Sequence, residues 1–223
     1  MERVLIKRAV LSVTDKSGLT GFAAFLAEGG VELVSTGGTA AVLRRAGLPV
    51  TQVDDLTGFP EILDGRVKTL HPVIHGGILA DKDKPDHLYS LRAHGIGLVD
   101  LVCVNLYNFA RAAGREPSLP PDGERHSPQT PPDRSGQHPA PSLRDVVEEI
   151  DIGGPCMLRA AAKNFNSVLA VDSPSMYPEV MRVLEENGMC APLDLRLRCA
   201  AAVFAGTAAY DRMIAEYLGT HAP

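Results

Sequence analysis

The sequence predicts an α/β protein with a central parallel sheet, and three observations predict it. Strand, polar turn and helix follow one another twice within the first fifty residues. A later segment, 98–104, is almost continuously apolar, as a strand covered on both faces should be. Glycine and hydroxyl residues sit at the strand ends, ahead of the helices. Residues 9–13 form the first strand, short, apolar and β-branched. Leu19, Phe22, Ala23 and Leu26 then fall on one helical face, and Gly29-Gly30 stops that helix. Residues 31–34 repeat the strand, and a second helix runs over 40–46 with Gly47 at its C′ position.

Further along, Ser142 and Asp145 have capping-box spacing for a short helix ending near Glu149. Pro155, after Gly153-Gly154, marks another helix that runs to about Lys163. Residues 167–171 read as a last strand, and from about 175 the chain is mostly helical, with Gly188 and Pro192 separating two segments. Residues 111–142 differ in kind, because they hold 8 of the 17 prolines and almost no apolar spacing. Such a segment cannot bury enough surface to offset its ordering entropy. It is expected to be a disordered surface insert within a single domain spanning 1–223.

Composition narrows the function classes. Of 223 residues, 22 are Lys or Arg and 27 are Asp or Glu, a net charge of −5 that argues against a general nucleic-acid binder. No apolar run reaches the roughly 18 residues of a membrane span, and the first residues lack a signal-peptide core. Cysteines 103, 156, 190 and 199 form no CxxC pair and read as reduced thiols. A cytoplasmic protein, without membrane or nucleic-acid partners, is expected.

Ligands of a parallel sheet bind at the carboxyl ends of its strands. Three polar segments fall there: 12–18, 35–39 and 105–107. The first two place small hydroxyl residues and glycine before a helix, which suits an anion, although Ser17 and Thr39 could equally serve as N-caps. Dinucleotide and P-loop motifs are absent. His71 and His75 lack the glutamate of a zinc-binding HExxH, and Pro72 with Gly76-Gly77 argues against a regular helix there. In the segment 57–72, alternation would send Arg66 and Lys68 to the same side of an extended stretch, where two cations could hold a phosphate or polarise a carbonyl. Asp151 adds a carboxylate ahead of a glycine-led helix, and Lys163 a cation at that helix's end.

The blocks SVTDKSGL, STGGTA, TGFPEILDGRVKTLHP, VNLYNF, IDIGGP, LRAAAKN and TAAYD occur in this order between about residues 8 and 211. Together they resemble the IMP cyclohydrolase domain of the bifunctional AICAR transformylase/IMP cyclohydrolase family. The resemblance implies a methylglyoxal-synthase-like, three-layer α/β fold of Rossmann-like character. It implies ring closure of formylated aminoimidazole carboxamide ribotide (FAICAR) to IMP with loss of water, the last step of purine synthesis. No metal, nucleotide or redox cofactor is implied. Carried over by position, Lys68, Tyr107, Asp151 and Lys163 are the catalytic residues. Ser12, Thr14, Asp15, Lys16, Thr36, Gly37, Gly38 and Thr39 would hold the phosphate and ribose. Arg66, Val67 and Thr69 would line the pocket, with Val104, Asn105, Ile152, Gly153 and Gly154 around the base.

The chemistry fits these residue types. A carboxylate can take the proton of the attacking carboxamide, and ammonium or phenol donors can stabilise the developing oxyanion. Two positions depart from the family: Asn108 replaces a proline, and Phe165 replaces a histidine beside Lys163. The chain ends at Pro223, where the family's transformylase domain would begin, so it is expected to be either a stand-alone cyclohydrolase or a fragment. A homodimer is implied, with a separate AICAR formyltransferase as a further partner. The competing readings are methylglyoxal synthase and a non-catalytic nucleotide-sensing module like the regulatory domain of carbamoyl-phosphate synthetase. Such a module need not keep Lys68, Asp151 and Lys163 together.

Overall fold

Five parallel strands form the sheet in the computed structural model, which describes residues 1–60, 62–106, 109 and 142–221. They are β2 (Arg8–Val13), β3 (Glu32–Ser35), β4 (Thr51–Gln52), β5 (Leu101–Asn105) and β6 (Leu169–Val171), in the spatial order β4-β3-β2-β5-β6. A separate antiparallel ribbon pairs β1 (Arg3–Leu5) with β7 (Cys190–Pro192). The helices are α1 (Leu19–Glu28), α2 (Gly37–Arg45), α3 (Val53–Thr57), α4 (Pro72–Leu79), α5 (Pro85–Ala93), α6 (Leu143–Glu148), α7 (Gly153–Lys163), α8 (Tyr177–Glu186) and α9 (Leu193–Gly219).

The period of two in the strands divides the core into two layers. Ala9, Leu11, Leu33, Leu101, Cys103 and Leu169 face α1 and α8 on one side. Val10, Val34, Val102, Val104 and Ala170 face α4 and α7 on the other. Helices therefore cover both faces, as the sequence predicts, and β5 is buried along its whole length.

Strand order reverses between β2 and β5. From β2 the chain steps outward through β3 to β4, and the later strands β5 and β6 lie on the opposite side. A crevice for a ligand opens at such a reversal, outside the carboxyl ends of the two strands.

Three local expectations are corrected. Residues 72–79 do form a helix, because Pro72 takes the first turn, where its missing N–H costs nothing, and His71 caps it by accepting from Val73 N through Nδ1. Residues 66–69 are turns after a 3₁₀ segment, Leu63–Gly65, so alternation does not apply to Arg66 and Lys68. Helix α2 also starts at Gly37, three residues before the expected point.

Residues group into two compact units, Met1–Leu106 with Asp151–Ala208, and Tyr107–Ile150 with Ala209–Pro223. The first contains the whole parallel sheet. In the second, the edge of the Phe109 ring meets Tyr217, with centroids 5.5 Å apart. The predicted capping box is formed there, with Ser142 Oγ accepting from Asp145 N at 3.2 Å and Asp145 accepting from Ser142 N. Apart from Ser142, the expected insert lies outside the described residues. No helix among the described residues is long and apolar enough to cross a membrane.

Candidate functional site

The carboxyl ends of β2, β3 and β5 bring five polar segments into contact. Ser12 Oγ and Thr36 Oγ1 share a hydrogen bond at 3.0 Å, joining the ends of β2 and β3. Thr39 is no N-cap: its hydroxyl accepts from Val13 N and donates to Val13 O, both at 3.0 Å. Ser17 caps nothing either, since α1 begins after Gly18 with no side-chain cap bond. The same is true of α2, so the amides of Gly38 and Thr39 have no partner among the described residues. An uncapped, solvent-facing helix start of this kind favours an anion.

Asn105 ties β5 to the loop after β2, accepting from Thr14 N at 2.7 Å and Asp15 N at 3.0 Å. That loop is pinned at its base as well. Gly18 has φ +68, and a Cβ there would fall 3.4 Å from the Tyr177 ring, which stacks on Phe22 at 4.4 Å. Cys103 donates from below to the Tyr177 hydroxyl, and burial pushes the Cys103 thiol up to about 12. This thiol is therefore inert near neutrality.

Lys68 and Asp151 reach the site from the other side. Lys68 is mostly buried, and its Nζ lies 3.2 Å from Asp54 on α3. Thr69, the next residue, packs so tightly on the start of α7 that a Cβ at Gly153 would fall 2.3 Å from its Oγ1. Gly154 is equally constrained, because a Cβ there would fall 2.2 Å from Asp151 Oδ2 and 3.1 Å from Val104. The glycine pair thus admits Thr69 and the Asp151 carboxylate to the helix end. Asp151 accepts from Gly154 N at 3.0 Å, yet burial dominates and raises its pKa above the ordinary carboxylate value. A carboxylate so placed is a better base than one in water.

The remaining predicted residues divide. Ile152 is exposed, Val67 is half-buried beside Lys68, and Val104 is buried with its side chain in the core. Tyr107 lies outside the described residues. Lys163 is not brought to this cluster. It is exposed at the far end of α7, a helix of 11 residues or about 16 Å. There it lines a groove of about 690 Å³ between α4, α7 and α9, with Leu70, His75, Leu79, Arg159 and Phe204. Sequence reading missed Asp54 and Tyr177, because neither belongs to a motif and both act through contacts distant in the chain.

The family model of the MGS-like domain matches residues 18–118, and that of the AICARFT/IMPCHase bienzyme matches 161–223. A solved structure, described as the crystal structure of ForH, superposes with a TM-score of 0.74 at 36% identity, covering 96% of this chain and 99% of that one. The bifunctional purine biosynthesis protein PurH of Listeria welshimeri is 47% identical over 213 residues, which is 96% of this chain. The chain belongs to the AICARFT/IMPCHase family. It spans 37% of the length of that PurH relative, and its family membership thus concerns the part built on the MGS-like domain.

Proposed function

We propose that this chain is an IMP cyclohydrolase, formally a hydrolase run in the cyclising direction, which closes FAICAR to IMP with loss of water. The observation that carries the reading is a half-buried carboxylate of raised pKa, Asp151, on the same rim as Lys68 and an uncapped helix start. The phosphate would lie against the amides of Gly38 and Thr39, with Ser12, Lys16 and Thr36 around it. The carboxamide nitrogen attacks the formyl carbon and passes one of its two protons to Asp151. Charge then develops on the formyl oxygen, where Lys68 donates to it, and the resemblance assigns Tyr107 a similar role. Dehydration removes that oxygen as water together with the proton of the formamide nitrogen, leaving the new double bond in the ring. Because the reaction is intramolecular, holding the formyl group in its attacking rotamer supplies much of the acceleration.

Lys163 stands a helix length from Asp151, so in this reading it serves the substrate of a second copy in a homodimer. Mixing Lys163→Met with Asp151→Asn protein should then restore about a quarter of the wild-type rate, since half the dimers are mixed and each has one intact site. No recovery on mixing contradicts that arrangement. FAICAR itself would be supplied by formyl transfer to the free amine at another site.

Ring closure is tested by mixing purified chain with FAICAR and following IMP by its absorbance. Formation of IMP at catalytic turnover is expected. Tight nucleotide binding without turnover would favour the sensing-module reading instead.

A further inference from the structure

We infer that Asn105 is a positioning residue that clamps the anion loop across the crevice between β2 and β5, and is not a ligand for the base. Asn105 ends β5 opposite Val13, at the reversal of strand order, and it is 6% exposed. Its side chain crosses the crevice to the loop after β2. Two backbone N–H groups, of Thr14 at 2.7 Å and Asp15 at 3.0 Å, converge on one atom, which must therefore be the carbonyl oxygen Oδ1. The amide nitrogen Nδ2 donates to Asp15 O at 2.8 Å.

This pattern leaves Asn105 little with which to read a base. A side-chain amide has two acceptor positions and two N–H groups. Both acceptor positions are occupied by the loop, as is one N–H. Recognition of a purine-like amide edge needs an acceptor and a donor together, and no acceptor remains.

The same bonds determine which amides an anion can use. Those of Thr14 and Asp15 are held by Asn105, and that of Ser17 by Asp15 Oδ1 at 2.9 Å. Among the described residues, an anion can still use the start of α2 and Lys16. Thr39 holds the other flank of the loop through Val13. Asn105 and Thr39 together preorganise the seat, which lowers the ordering cost of binding.

The identity of the anion as a nucleotide phosphate rests on the function proposed above; the clamp does not. The test measures affinities of wild type, Asn105→Leu and Asn105→Asp for inorganic phosphate, IMP and inosine. It also follows hydrogen exchange at the amides of Thr14 and Asp15. Leucine removes all three bonds at similar volume. Aspartate keeps the acceptors but loses the donor and sets a carboxylate against Asp15 O. Both variants should weaken phosphate and IMP by the same factor, about 10-fold or more for leucine. Inosine affinity should stay within twofold, and the two amides should exchange faster. Weakened inosine binding with phosphate unchanged would overturn the clamp and make Asn105 a base ligand. Unaltered exchange at Thr14 and Asp15 would overturn it as well. If Asn105→Leu does not fold, Asn105→Asp gives the same comparison. Wild type that binds phosphate but does not close FAICAR would remove the cyclohydrolase reading and leave the clamp standing.

Discussion

The two ends of the parallel sheet both gather buried polar groups, and they are completed in opposite ways. At the amino end, Asp100 accepts from Lys7 N and Arg8 N, each at 2.8 Å, and pairs with Lys82. Lys82 also donates to Ser167 O at 2.7 Å, and burial lowers its pKa. Arg196 is fully buried and reaches the carbonyls of Met1 and Asn166 at 2.6 and 2.7 Å. Each charge is enclosed by partners from its own chain. At the carboxyl end, the amides starting α2 lack such partners among the described residues, and burial raises the pKa of Asp151. A shifted pKa marks both ends. Among the described residues, hydrogen-bonding capacity is left over at the carboxyl end, and that capacity is where a ligand has something to gain.

This contrast can be broken by mutation. Asp100→Ala leaves Lys82 buried without its carboxylate and should cost about 3–5 kcal/mol of stability. The kcat of molecules that remain folded should not change, which denaturant melts and assays on the same sample would check. Lys68→Met should do the reverse. It should lower kcat by roughly 10²- to 10³-fold with little change in melting temperature. Wild-type turnover in that variant would remove Lys68 from the chemistry. A smaller effect is expected at the anion seat. A Cβ at Gly38 meets nothing within 4 Å in the protein, so Gly38→Val should fold normally and obstruct only the anion. KM should rise about tenfold with kcat nearly constant, the signature of lost uniform binding. Strain belongs to Gly37, whose φ is +42, and Gly37→Val should therefore lower stability as well.

Local pattern made much of this fold legible. Strands β2 and β3 and helix α1 follow from apolar spacing alone, and the anion-binding character of 35–39 follows from glycine and hydroxyl residues before a helix. What escaped depends on contacts distant in sequence. Gly77 looks like a helix breaker, yet it sits in α4 because a Cβ there would fall 2.5 Å from the carbonyl of Gly97. The β1–β7 ribbon joins residues nearly the whole chain apart. Motif blocks pointed to Lys68 and Asp151, but nothing in their spacing revealed Asp54 beside Lys68. Nor could it reveal that Asn105, grouped by the resemblance with the base, has its acceptors turned to the Thr14–Asp15 loop. Lys163 shows the converse limit, since twelve residues of sequence become a helix length in space.

In the proposed ring closure, the half-buried carboxylate of Asp151 at the open end of the sheet acts as the base. The most direct measurement is the pH dependence of kcat for FAICAR closure in wild type and Asp151→Asn. A base must be ionised to act, and burial raises the pKa of Asp151, so the wild-type rate should climb with pH through a midpoint above the ordinary carboxylate value. Asp151→Asn should lower the rate by about 10²-fold or more and lose that limb. An unchanged acid limb in Asp151→Asn would exclude Asp151 as that base.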